Sequence, residues 1–294
     1  MSLFSNANQS VHYLVRGQGE ALLMIHGLGS SGADWAMQVP ALEQQFRLIV
    51  PDLPGCGHSG ALPENCRIGD MADNLWALLD HLDVSRTNIV GFSLGGAVGL
   101  EMSLQRPAVV PRLALINSLS SYEVTDMNKW LEARVPLALI ALFGMQWAGK
   151  KFAGRLFPHP WQESMRARAA QVVGAGSAKS YLGIMRALEQ WNANDRLAAL
   201  ACRTLVVAAE HDYVPIAEKH ALAAALNAEL LVIRGSRHGT PFDSIAATNA
   251  ILVALLTDTA LPLTADCECD EPEIHYPLSF IGSLAEQHAL GPQA

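Results

Sequence analysis

Short aliphatic runs recur along the chain at Ser10–Val15, Leu22–His26, Leu48–Val50, Asn88–Val90, Leu113–Asn117, Thr204–Ala209 and Glu229–Ile233, each bounded by turn-forming residues. Several are apolar without polar alternation, the pattern of strands covered on both faces. Between them lie segments of helical period: Met71–Leu82 (Met71, Leu75, Leu78, Leu79, Leu82), Ala97–Gln105, Ile216–Leu226 and Ser244–Leu256. Alternating strands and helices predict an α/β fold, a mainly parallel sheet with helices on both faces. That rhythm stops between residues 120 and 200, where helical segments dominate and no strand is legible. The expected organisation is therefore a core of residues 1–119 and 201–261, an inserted helical cap of 120–200, and an extension of 262–294.

The cap contains the apolar run Leu137–Phe143 within Pro136–Ala148. At about 13 residues it falls short of the roughly 20 that span a bilayer. It reads as a cap helix, with a lid surface that meets lipid or apolar substrate as the alternative. Half of the 294 residues are hydrophobic, enough for a sizeable core in one large domain. The formal net charge of −8 argues against a nucleic-acid partner. Six of the 28 acids (Asp266, Glu268, Asp270, Glu271, Glu273, Glu286) lie in the extension, which has no Lys or Arg, so the body carries 22 acids against 20 bases. Residues 120–200 hold ten Lys or Arg against six acids. That bias suits an anionic substrate, and solvated helix faces explain it equally well.

The start of the chain, Met1–Asn6, has neither a basic nor an apolar leader region, so a cytoplasmic protein is expected. Five cysteines (Cys56, Cys66, Cys202, Cys267, Cys269) then read as free thiols. Cys267-Glu268-Cys269 upstream of His275 matches no ordinary zinc spacing and reads as a solvated acidic tail.

The segment with most chemical content is Gly91-Phe92-Ser93-Leu94-Gly95-Gly96, between a predicted strand and a predicted helix. G-x-S-x-G at such a junction forms a sharp turn that exposes the serine hydroxyl, and glycine is needed on either side because a side chain would strike crowded backbone. The Leu94 N–H, heading the helix, lacks an intrahelical partner and can face a developing oxyanion. A serine hydroxyl needs a histidine to take its proton and a carboxylate to orient that histidine. Asp212 follows the predicted strand Thr204–Ala209, and His238 follows Glu229–Ile233. Glu210 and Asp126 are fallback acids; His211 and His220 are weaker bases. Upstream, Ile25-His26-Gly27-Leu28-Gly29-Ser30-Ser31 offers the Leu28 N–H as a second oxyanion donor, with His26 shaping the loop. Asp52, beside Gly55 and Gly57, reads as a loop brace.

Together these motifs resemble the α/β-hydrolase superfamily from about residue 10 to 258. The resemblance implies an eight-stranded, mostly parallel sheet, a helical cap after the sixth strand and no cofactor. It implies acyl transfer on a small-molecule substrate: Ser93 attacks, His238 moves the proton, Asp212 orients His238, and the Leu28 and Leu94 N–H groups hold the oxyanion. Serine at 93 argues against dehalogenases and epoxide hydrolases. A carboxylic ester with an apolar acyl group is the expected substrate, with Trp147, Trp161 and Trp191 of the cap as candidate contacts or as core packing. Lactonase, thioesterase, carbon–carbon hydrolase and lyase chemistry use the same triad, and a non-catalytic ligand receptor on this fold is the alternative of another class.

Overall fold

The computed structural model describes residues 2–5, 9–123, 127–262 and 265–266. In chain order its elements are β1 (Ser2–Ser5), β2 (Ser10–Arg16), β3 (Glu20–Ile25), α1 (Val39–Leu42), β4 (Phe46–Pro51), α2 (Ile68–His81), β5 (Asn88–Phe92), α3 (Leu94–Gln105) and β6 (Arg112–Ile116). Then follow α4 (Met127–Leu156), α5 (Glu163–Ala175), α6 (Ala178–Glu189), β7 (Arg203–Ala209), α7 (Ile216–Leu226), β8 (Glu229–Arg234), α8 (Thr240–Asp243), α9 (Ile245–Leu256) and the two-residue β9 (Ala265–Asp266). The strands lie in the order β1-β2-β4-β3-β5-β6-β7-β8-β9. Eight strands of four to seven residues make the sheet, and β9 adds a short rung beside β8. Only the β1–β2 and β2–β4 pairings are antiparallel.

Residue-by-residue alternation of the central strands explains why their sequences are apolar throughout. Leu23, Ile25, Ile89, Leu113, Leu115 and Val206 point to one face, where Leu75 and Leu79 of α2, Ala97 of α3 and Leu222 of α7 cover them. Leu22, Met24, Val90, Ala114, Ile116 and Val207 point to the other and pack on Ile251 and Leu255 of α9. Each such aliphatic side chain removed from water contributes roughly 1.5–3 kcal/mol. The strands run parallel from β3 onward, so their carboxyl ends gather on one edge, and the loops that follow β3, β5, β7 and β8 meet there.

Between β6 and β7 the chain forms α4, α5 and α6. Gly144 interrupts α4 with φ of 77°, and the two halves diverge there. Beyond the break, α4 and α5 approach closely: a Cβ on Gly149 would lie 2.5 Å from the Ala170 carbonyl. The segment is tied down at its base, where Ser121 and Asn192 form a bridge, Ala193 N–H donates to Ser120 O, and Glu101 of α3 accepts from Trp191 Nε1 and Arg196. Trp191 is thus core packing. Trp147 packs within the helical segment beside Phe143, and Trp161 stacks on His159. Leu142 and Phe143 are 75% and 60% exposed, so this end of the apolar run faces outward. Among the described residues no helix is long and apolar enough to cross a membrane.

Candidate active site

Ser93 sits between β5 and α3 at φ 54°, ψ −116°, a left-handed conformation that a non-glycine residue holds only when its surroundings over-determine it. Its N–H donates to Ile116 O at 2.8 Å. Flanking glycines make the turn possible: a Cβ on Gly91 would stand 2.3 Å from Gly95 O, and one on Gly95 would stand 2.1 Å from Ile25 O. The hydroxyl is thereby lifted out of the strand toward the carboxyl edge of the sheet.

His238 reaches that hydroxyl from the loop after β8. Its Nε2 lies 3.0 Å from Ser93 Oγ and its Nδ1 2.8 Å from Asp212 Oδ1, which comes from the loop after β7. The Nδ1 proton is accepted by the carboxylate, leaving Nε2 as the acceptor for the serine. Burial pushes the Asp212 carboxyl up, but the hydrogen bond and charge of His238, then Lys219, hold it below the usual carboxylate range. The two loops are joined by Asn117 at the end of β6. Its Nδ2 donates to His238 O (2.8 Å) and Thr240 Oγ1 (2.7 Å), and its Oδ1 accepts from Ala209 N–H (2.8 Å). Asp243 of α8 accepts from Ser236 Oγ and the Arg237 N–H, fixing the turn before His238.

Sequence reasoning missed these two braces. A polar residue closing an apolar strand, and a carboxylate five residues after the histidine, are the signals that mark them. It also missed Tyr213, whose hydroxyl stands 2.8 Å from His238 Nε2, the atom that Ser93 uses.

The Leu94 N–H heads α3, where it has no intrahelical partner, and Leu28 lies in the turn after β3. His26 shapes that turn: Nε2 accepts from Leu53 N–H (2.9 Å), so Nδ1 carries the proton and donates to Gly27 O (2.7 Å). Full burial pushes it toward the neutral form. Asp52 accepts from His12 Nδ1 and from the N–H groups of Gly32 and His58, bracing three loops. Glu210 accepts from Gly235 N–H and faces His211, away from the His238–Asp212 pair. His220 is on the exposed side of α7. Asp126 and the Cys267, Cys269 and His275 group lie outside the described residues. Among the described residues no three His, Cys, Asp or Glu side chains converge as a metal site.

A buried acid, a histidine with a fixed tautomer and a strained serine, in hydrogen-bonded line, are chemically suited to nucleophilic attack on an electrophilic carbon. The chain resembles known proteins in sequence and in fold. RutD of Rhizobium rhizogenes, provisionally named a carbamate hydrolase, is 30% identical over 230 residues, covering 76% of this chain and 87% of its own. The magnesium-chelatase 30 kDa subunit of Rhodobacter capsulatus is 44% identical over 102 residues, 34% of this chain and 35% of that one. A hydrolase from Pseudomonas aeruginosa superposes with a TM-score of 0.78 at 25% identity, covering 87% of this chain and 97% of that one. The enol-lactonase of Burkholderia xenovorans shares the fold, with a TM-score of 0.79 at 22% identity over 87% and 100% of the two chains. A family model for the alpha/beta hydrolase fold matches residues 20–244, and the chain belongs to that family of enzymes.

Proposed function

We propose that the protein is a serine hydrolase that cleaves a carboxylic ester of a small or medium apolar acyl group through an acyl-enzyme. The observation that carries this reading is the continuous Asp212–His238–Ser93 line at 2.8 and 3.0 Å. Ser93 Oγ attacks the carbonyl carbon while its proton passes to His238 Nε2. The resulting oxyanion is held by the Leu28 and Leu94 N–H groups. On collapse the ester C–O bond breaks and His238 returns the proton to the leaving alkoxide. A water molecule then gives its proton to His238, attacks the acyl-enzyme, and the carboxylic acid leaves as Ser93 regains its proton. Asp212 holds the imidazole in place and stabilises its charged form. Residues 120–200 act as a cap over the carboxyl edge: Tyr181 and Val173 lie against Gly29 of the Leu28 turn, and Phe157 against Gly239 beside His238.

The names of relatives widen the substrate panel, since lactones and carbamates also present a carbonyl carbon bearing oxygen. Wild type and Ser93→Ala are assayed on chromogenic esters, lactones, thioesters and carbamates, with a serine-directed phosphonate as a label. Turnover of esters by wild type is expected, with a loss of at least about 10³-fold in Ser93→Ala and phosphonate on residue 93. An absence of both turnover and label removes the reading. A second reading follows from the magnesium-chelatase subunit, in which the protein works beside a magnesium chelatase. Stimulation of such a chelatase that survives Ser93→Ala favours it over hydrolysis.

A further inference from the structure

Lys219 is a buried charge that the proton relay above does not use. It projects from the first turns of α7 with its side chain 1% exposed, and its Nζ lies 3.3 Å from Asp212 Oδ2. It also donates to Ser118 O at 3.4 Å. A lysine is retained in such a place only when its ammonium is paired, because an isolated buried charge is strongly disfavoured. The pairing matters equally to Asp212. Its Oδ1 is occupied by His238 Nδ1 and the Val214 N–H, whereas Oδ2 faces Lys219 and accepts no hydrogen bond of good geometry among the described residues.

The charges at this point form a closed set. Lys219, Asp212 and His238 have side chains 1%, 1% and 4% exposed, so water screens them little. The positive ammonium, negative carboxylate and neutral imidazole sum to zero. A proton placed on His238 before substrate arrives makes the buried set positive. Without Lys219 the resting pair is negative, and a proton is attracted to it.

We infer that Lys219 is a positioning residue that orients Asp212 and neutralises the buried Asp212–His238 pair, keeping His238 available as a base at lower pH than Asp212 alone allows. This rests on the triad reading proposed above. Other titratable and charged groups face the same place. The loop after β7 contributes Tyr213, on His238 Nε2, and α4 contributes Arg155, stacked over the Tyr213 ring. Ser93 comes from the elbow, Tyr122 from the segment after β6 and Glu218 from α7. Of these groups only Lys219 is a buried cation within ion-pair distance of Asp212. Burial pushes its ammonium below the ordinary lysine range and Asp212 pulls it back up, as a working ion pair requires.

The test is the pH dependence of kcat/KM on the best ester of the panel, each enzyme normalised to its own plateau. In Lys219→Met the acid limb is expected about one pH unit higher than in wild type, an approximately tenfold relative loss on the acid side. Lys219→Gln, which also lacks the charge, should show the same displacement and serves if Lys219→Met does not fold. Lys219→Arg, which restores the charge, should bring the limb back toward wild type. Limbs that coincide in all variants overturn the inference, as does an equal displacement in Lys219→Arg, which signals packing rather than charge. Failure of the triad reading is separate: Ser93→Ala and His238→Ala would then keep wild-type activity, whatever Lys219 does.

Discussion

Asp34 shows how one side chain can work against stability beside a functional loop. It lies in the 3₁₀ turn Gly32–Met37, accepts a hydrogen bond from Ser30 Oγ, and burial pushes its carboxyl from near 3.8 up to about 7. The folded chain therefore holds this proton at a pH where the unfolded chain has lost it. The resulting stabilisation is complete below about pH 4 and is lost as pH rises toward 7. Asp34→Asn, which stays neutral, should gain on wild type by about 2 kcal/mol between pH 5 and pH 8, read from chemical unfolding at the two pH values. Parallel curves for the two proteins would count against a buried, protonated Asp34. Residues of this kind separate what was legible from what was not. Ser93, Asp212 and His238 each follow an apolar strand, where a polar side chain in a turn stands out from the run before it. Lys219 follows the helical period of Ile216–Leu226, where a lysine reads as a solvent-facing charge; only tertiary packing turns it inward.

At the scale of elements, all seven aliphatic runs form strands: in β3 to β7 burial on both faces admits hardly any polar residue, while β2 and β8 are buried at alternate positions. Their ends moved by a few positions: Leu48–Val50 extends to Phe46–Pro51, and Leu22–His26 becomes Glu20–Ile25. Backbone pairing lengthens the first at both ends, through Phe46 and Arg47 on β3 and Pro51 on β2. Strand β1 escaped notice because edge pairing needs no apolar side chain: it is a short, exposed edge hairpin partner of β2. The elbow was legible because its glycines answer to backbone contacts rather than to side-chain packing. Gly95→Ala should therefore be among the most damaging small changes: a methyl 2.1 Å from Ile25 O and 2.7 Å from His26 O would force α3 away from β3. A loss of at least about 3 kcal/mol in unfolding free energy is expected. Activity should fall further than stability explains, since the displaced carbonyls lead directly into the Leu28 turn. A variant that folds with wild-type stability would show that the elbow has more room than these distances give it.

The whole molecule depends on how residues 120–200 are held to the sheet, since they carry Tyr181 and Phe157 to the loops that bear Leu28 and His238. One buried tie is Glu101, a carboxylate in the mainly apolar α3, which accepts from Trp191 Nε1 at 2.8 Å and from the two terminal Arg196 nitrogens at 2.9 and 2.7 Å. Burial pushes its carboxyl up, but Arg196 and Trp191 together hold it below its ordinary range. The stabilisation this provides is present above the ordinary glutamate range and is lost as pH falls through the lowered value. Glu101→Ala leaves the indole N–H and one guanidinium without their acceptor, a cost of about 2–4 kcal/mol. Because Arg196 is partly exposed, the lower part of that range is expected. The loss should be local before it is global: hydrogen exchange in residues 178–196 should rise in Glu101→Ala while that of β5 and β6 stays protected. The deficit relative to wild type should shrink at acid pH, where the wild-type carboxylate also loses its charge. Uniform exchange across β5, β6 and residues 178–196 would instead mean that the two parts open as one unit, and that Glu101 contributes to the fold without separately fastening those residues to α3.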